Sequence, residues 1–207
     1  MSTTRGRRGS DDVSVVPPGN VLLRAPTLSD AKQSICPSLH ADDDVNLCVV
    51  SLSGTPDRIL DTWGRYGGLP SKVGIVTADE TRSAAAADTP SAMVGPDGTT
   101  VSTTTVSEPG DLTGIGIKVG QCLSAWRDDD ATTVVCFDSL TTLLQYADLQ
   151  RVFRFLHMLT RQIENTGALG YFHIDPAAHD DRAVSTVENL FSDQFEYDTE
   201  TDSWDER

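Results

Sequence analysis

Residues 20–33 read Asn-Val-Leu-Leu-Arg-Ala-Pro-Thr-Leu-Ser-Asp-Ala-Lys-Gln, a short apolar strand over 21–24 followed by a loop and a helix. At such a place a phosphate-binding loop carries G-x-x-x-x-G-K-[ST]. The glycines let backbone N–H groups face the phosphates, the lysine reaches the outer oxygens and the hydroxyl holds Mg²⁺. In that register Ala25 stands for the first glycine, Asp30 for the second, Ala31 for the lysine and Lys32 for the Ser/Thr. Asp30 brings a carboxylate to a place where an anion would be bound. The frame of a nucleotide-binding α/β protein is present without the groups that hold phosphate.

Three further segments fall in the matching order. Residues 46–56, Asn-Leu-Cys-Val-Val-Ser-Leu-Ser-Gly-Thr-Pro, form an apolar strand that ends in Ser53, Gly54 and a Thr-Pro helix start. Residues 109–118, Pro-Gly-Asp-Leu-Thr-Gly-Ile-Gly-Ile-Lys, read as another strand-to-helix turn. Residues 132–141, Thr-Thr-Val-Val-Cys-Phe-Asp-Ser-Leu-Thr, are an apolar run that ends in Asp138.

Taken together, order and spacing over residues 18–198 resemble the KaiC-like branch of the RecA-type P-loop ATPases, especially the short KaiC-like proteins of halophilic archaea. The resemblance implies a RecA-like α/β fold with a mostly parallel central sheet and helices on both faces. It also implies that Ser53 and Gly54 occupy the places of the two glutamates that activate the attacking water, a task neither residue can perform. Asp138 takes the place of the Walker B aspartate that orients Mg²⁺. A strand-end Asp also caps the following helix through its side chain, and without the loop lysine or the glutamates that structural role is the expected one. His173, with Asp175, closes a strand at the edge where α/β folds place ligands, where relatives often carry a γ-phosphate sensor. His173 is therefore the best candidate for a residual ligand contact, against the plainer expectation of a strand-end His satisfied by water or a carbonyl.

The vestigial nucleotide cleft thus comprises Ala25, Asp30, Ala31, Lys32, Asp138 and His173, with no catalytic residue assigned. Two functions stay open. One is a pseudo-ATPase with no cofactor, acting as a regulatory or scaffolding protein through a protein partner or as a homo-oligomer, in the signalling or motility roles that the resemblance implies. The other is a weak ATPase in which Lys32, one place late, swings back to the phosphates and Asp138 holds Mg²⁺ with ATP.

Charge narrows the partners. The 207 residues hold 24 Asp and 7 Glu against 13 Arg and 3 Lys, a net charge of −15. Acids spread along the whole chain, as in Asp42–Asp44, Asp128–Asp130 and Asp180–Asp181, suit a surface solvated in multimolar salt, where like-charge repulsion is screened. Nucleic acid is not expected as a partner, because phosphate neutralisation needs clustered Lys and Arg. The one basic cluster, Arg5, Arg7 and Arg8, lies in a Ser/Thr/Gly-rich stretch. Basic loops of the kind a DNA-repair recombinase needs are not evident. No run of 18 apolar residues and no signal-peptide pattern is seen, so a soluble, cytoplasmic protein is expected.

Period and punctuation predict strands over 21–24, 47–52, 73–76, 103–106, 133–137, 169–174 and 194–197. Most are apolar runs without alternation, as in a parallel sheet covered on both faces. Thr55 and Pro56 open one helix, with Ile59, Leu60 and Trp63 on its inner face. A long helix is expected from about 148 to 164, with Leu149, Val152, Phe153, Leu156, Leu159 and Ile163 as a core stripe. The expected organisation is a disordered tail over 1–17, one domain over 18–198 with an irregular excursion at 79–103, and an acidic tail over 199–207 with Trp204 solvent-facing or lightly docked. Cys36, Cys48, Cys122 and Cys136 lack a C-x-x-C pair, and the four histidines lack metal-ligand spacing, so zinc is not expected.

Overall fold

The computed structural model describes residues 18–41, 43–78, 91–94 and 98–207. The chain builds a nine-stranded sheet. Its strands are β1 (Gly19–Arg24), β2 (Val45–Ser51), β3 (Lys72–Ala78), β4 (Ser91–Val94), β5 (Thr100–Val106), β6 (Thr132–Asp138), β7 (Leu169–Ile174), β8 (Asp193–Asp198) and β9 (Ser203–Glu206). Among the described residues six α-helices join them: α1 (Asp30–Leu39), α2 (Pro56–Tyr66), α3 (Leu112–Ala125), α4 (Leu140–Tyr146), α5 (Leu149–Asn165) and α6 (Asp181–Glu188).

The strand order is β4-β5-β3-β2-β6-β7-β1-β8-β9. Only the outermost pairs, β4 with β5 and β8 with β9, are antiparallel. Because side chains alternate along a strand, the sheet divides its apolar residues between two cores. Leu22, Val50, Val135, Phe137 and Phe172 face the side covered by α3 to α6. Val21, Leu23, Val49, Cys136 and Tyr171 face the side covered by α1 and α2. This is an α/β fold with a mostly parallel sheet and helices on both faces, as the apolar runs predict.

The long helix is α5, capped by Asp148, whose side chain accepts from the Arg151 N–H. Asn20, at the start of β1, donates to the Thr160 carbonyl (3.0 Å) and to Glu164 Oε1 (2.9 Å), so the loop-bearing strand is fastened to that helix. On the other face α2 ends against α1. A Cβ at Gly67 would lie 2.1 Å from the Pro37 carbonyl oxygen, so only glycine permits this approach.

Two expectations change at the sheet edges. The segment over 79–103 is not wholly an excursion, since β4 and the first part of β5 lie in it; residues 79–90 and 95–97 are outside the described residues, as is the tail over 1–17. At the other edge the acidic terminus does not run free. Residues 203–206 form β9 against β8, and Trp204 is buried with its ring 5.5 Å from that of Tyr197. Alternation over Ser203–Glu206 is masked by its acidic residues, and pairing with β8 supplies the burial that the local composition does not announce.

Candidate functional site

The carboxyl ends of β1, β2, β6 and β7 open into one cleft, a cavity of about 260 Å³ between the sheet, α1 and α2. It lies where open parallel sheets place their ligands. Lys32, Cys36, Ser51, Ser53, Gly54, Arg58, Trp63, Cys136, Asp138 and His173 are in its wall. A wider groove of about 860 Å³ between α3 and α5 is lined by small, apolar and amide side chains and carries no charged side chain.

The loop that leads into it is tight. Ser29 N–H donates to the Pro26 carbonyl (3.1 Å), and Ser29 Oγ in turn accepts from the Lys32 N–H (3.2 Å), capping α1. Ala25 N–H continues the sheet ladder to the Ile174 carbonyl (3.0 Å). The N–H and the hydroxyl of Thr27 both donate to Asp175 Oδ2, each at 2.8 Å. Pro26 has no N–H to offer. The backbone donors that a phosphate would require are thus largely given to acceptors of this chain. Burial alone would raise the Asp175 carboxyl, but the Thr27 donors, the Ala177 N–H and the nearby His179 outweigh it and hold the group below its ordinary value.

Across the cleft, Lys32 Nζ meets Asp138 Oδ1 at 2.5 Å. The Lys32 side chain is only 12 % exposed, whereas that of Asp138 is 40 % exposed, so the ammonium lies inside the mouth and the carboxylate keeps one side toward solvent. Asp138 is beside Ser51 in the sheet register, and its carbonyl accepts from Leu52 N–H (3.1 Å). It does not cap the next helix, as was expected. That role belongs to Ser139, whose Oγ accepts from the Thr142 N–H at 3.2 Å. The peptide between Asp138 and Ser139 is cis.

Of the residues the sequence singled out, Lys32, Asp138 and His173 come together, with Ser53 and Gly54 on the opposite rim. Ala25 is buried in the strand ladder, Asp30 is solvent-exposed on the first turn of α1, and neither they nor Ala31 line the cavity. His173 is 4 % exposed; its Nε2 is 3.5 Å from Cys36 Sγ, and its Nδ1 has no hydrogen-bond partner among the described residues.

Sequence reasoning missed the two cysteines of the wall. Their signal was positional. Cys36 is four residues after Lys32 on one helix, and Cys136 is two before Asp138 on one strand, so each shares a face with the residue already noticed.

The fold and this cleft define an α/β protein with a polar site at the carboxyl edge of its sheet. Residues 18–197 match the family of unknown function DUF7504, and the chain belongs to that family. No curated protein matches it. Among solved structures it is similar to the uncharacterized protein PH0321 of Pyrococcus horikoshii in complex with an unknown peptide, at 11 % identity and a TM-score of 0.60, over 88 % of this chain and 78 % of that one. It is also similar to PH0250 of Pyrococcus horikoshii OT3, at 11 % identity and a TM-score of 0.57, over 90 % of this chain and 85 % of that one. At this identity the likeness concerns the fold.

Proposed function

We propose that this protein is a RecA/KaiC-like pseudo-ATPase whose nucleotide cleft is occupied by its own side chains, and that it acts as a regulatory or scaffolding protein through protein contacts. The observation that carries this reading is the Lys32–Asp138 ion pair. In the phosphate-loop register Lys32 stands where a hydroxyl would help hold Mg²⁺, and Asp138 where the second protein ligand would be. The ammonium takes the carboxylate that a metal would need.

ATP with Mg²⁺ does not fit these residues. The Thr27 donors are engaged by Asp175. A Lys32 swung toward phosphates would abandon Asp138. The cavity of about 260 Å³ also falls short of the ~300–1,000 Å³ usual for small-molecule sites. Ser53 and Gly54 supply no general base. A role through protein contacts is supported by exposed apolar side chains, Ile117 and Met158, along the groove between α3 and α5. The unknown peptide bound to the Pyrococcus horikoshii neighbour is in keeping with it by fold analogy alone.

Isothermal titration calorimetry with MgATP in concentrated KCl tests the proposal. The expected dissociation constant is no tighter than about millimolar, since each missing charge-assisted bond forgoes roughly 1.5–3 kcal/mol. Binding in the low micromolar range, or turnover that Asp138→Ala abolishes, would establish the ATPase instead. Capture from cells in high salt is expected to return a stoichiometric protein partner or a self-assembly.

A further inference from the structure

The deep wall of the cleft is made of sulfur and imidazole. Cys36 comes from α1, Cys136 from β6 and His173 from β7, and all three line the same cavity. The Cys36 and Cys136 thiols are close enough to interact, and Cys36 Sγ is 3.5 Å from His173 Nε2. Nδ1 of His173 has no hydrogen-bond partner among the described residues. Nor does the Lys32–Asp138 pair use any of the three.

We propose that Cys36, His173 and Cys136 form a peroxide-reactive dithiol site, in which a small hydroperoxide oxidises Cys36 and Cys136 resolves it to an intramolecular disulfide. In the first step the Cys36 thiol passes its proton to His173 Nε2. The sulfur then attacks the terminal peroxide oxygen, the O–O bond breaks, and the departing oxygen takes the proton back from His173 as water or an alcohol. Cys36 is left as a sulfenic acid. In the second step the Cys136 sulfur attacks the Cys36 sulfur, the S–O bond breaks, and hydroxide leaves with the Cys136 proton as water. The two thiols supply the two electrons that reduce the peroxide, and a low-molecular-weight thiol resets the pair by exchange.

The groups facing Cys36 are Cys136 on β6, His173 and Tyr171 on β7, and His40 after α1. Burial would raise the Cys36 thiol, but the interaction with Cys136 and the neighbouring His173 and His40 outweigh it and bring it down to about 6. Burial and its interaction with Cys36 push Cys136 well up. The cavity holds several water-sized molecules, each taking about 30 Å³, which is room for a hydroperoxide. On the opposite face Cys48 and Cys122 are likewise neighbours, packed beside Gly74. They serve as an internal comparison.

The experiment uses the full chain, reduced, treated with stoichiometric hydrogen peroxide near neutral pH, then alkylated in denaturant and mapped by mass spectrometry. The expected product is one disulfide, Cys36 to Cys136, with Cys48 and Cys122 alkylated. In Cys136→Ser a dimedone-trapped sulfenic acid is expected at Cys36. His173→Gln is expected to slow oxidation by roughly tenfold or more while the circular dichroism spectrum stays that of the parent. Four intact thiols after peroxide, or oxidation of Cys48 with Cys122 ahead of Cys36, would overturn the proposal. The wild-type measurement needs no variant to fold. Its outcome is independent of nucleotide binding, so either reading of the cleft can fail alone.

Discussion

At the scale of single residues, two carboxylates at the cleft end of the sheet have different tasks. Asp138 neutralises Lys32, while Asp175 holds the loop through two hydrogen bonds from Thr27 and caps its own following turn by accepting from the Ala177 N–H at 3.1 Å. The Asp175 N–H donates to Thr141 Oγ1 at 2.8 Å, which joins the end of β7 to the first turn of α4 as well. Asp175→Ala is expected to cost about 1–2 kcal/mol at neutral pH in urea unfolding, since charge-assisted bonds are lost from a partly exposed loop. The pH dependence has a definite sign. Because the folded state holds this carboxyl below its ordinary value, its stabilisation is complete above the unfolded value of about 3.9 and is lost as pH falls through the folded value. The gap between the parent protein and Asp175→Ala should therefore be constant from neutral pH down to about 4 and should close below it. A gap that widens on acidification would show that Asp175 does not anchor the loop as an anion.

Among the elements, β9 is the one whose contribution is least evident from composition. It pairs with β8 through Phe195–Glu206 to Asp198–Ser203, and the Arg207 N–H donates to the Gln194 carbonyl (3.0 Å). Trp204 covers the end of the apolar layer that Phe195 belongs to, and Tyr197 packs against its ring. Nearby, Arg24 of β1 is buried and pairs with Glu188 and Glu196, while Arg207 reaches the same two glutamates, so the terminus is fastened by charge as well as by the ring. Trp204→Ala is expected to destabilise the protein by about 3 kcal/mol, the lower end for removing a buried aromatic side chain, because an edge site can partly collapse. Guanidinium unfolding followed by far-ultraviolet circular dichroism measures it. A change under about 0.5 kcal/mol, the size of an ordinary surface substitution, would mean that β9 is dispensable to the sheet.

For the whole molecule, charge sets the conditions under which these contacts hold. With a net charge of −15, self-repulsion opposes the compact state whenever counterions are scarce. The melting temperature is expected to rise steadily with KCl, as the screening length falls from about 10 Å at 0.1 M toward 3 Å at 1 M and below. A melting temperature unchanged across that range would remove the reading of the acids as an adaptation to salt. The calorimetry of the cleft belongs in the high-salt regime for the same reason. Among the described residues no helix is long and apolar enough to cross a membrane.

Much of this architecture could be read from the linear chain because local physics carries it. Unalternating apolar runs such as Leu169–Ile174 foretell strands buried on both faces, the stripe from Val152 to Ile163 foretells a helix against them, and Thr55 with Pro56 marks the start of α2. The absence of glycines from residues 25–32, and of a lysine at position 31, was equally legible, as a matter of which atoms are there. Side-chain period states which face a residue occupies, but not which strand lies beside it. The meetings of Lys32 with Asp138, of Thr27 with Asp175 and of Cys36 with Cys136 and His173 join segments about a hundred or more residues apart, and they follow from a strand order set by the crossovers of the sheet. The same holds for β9, whose acidic residues become a strand only because β8 offers an unpaired edge and a hydrophobic seat for Trp204.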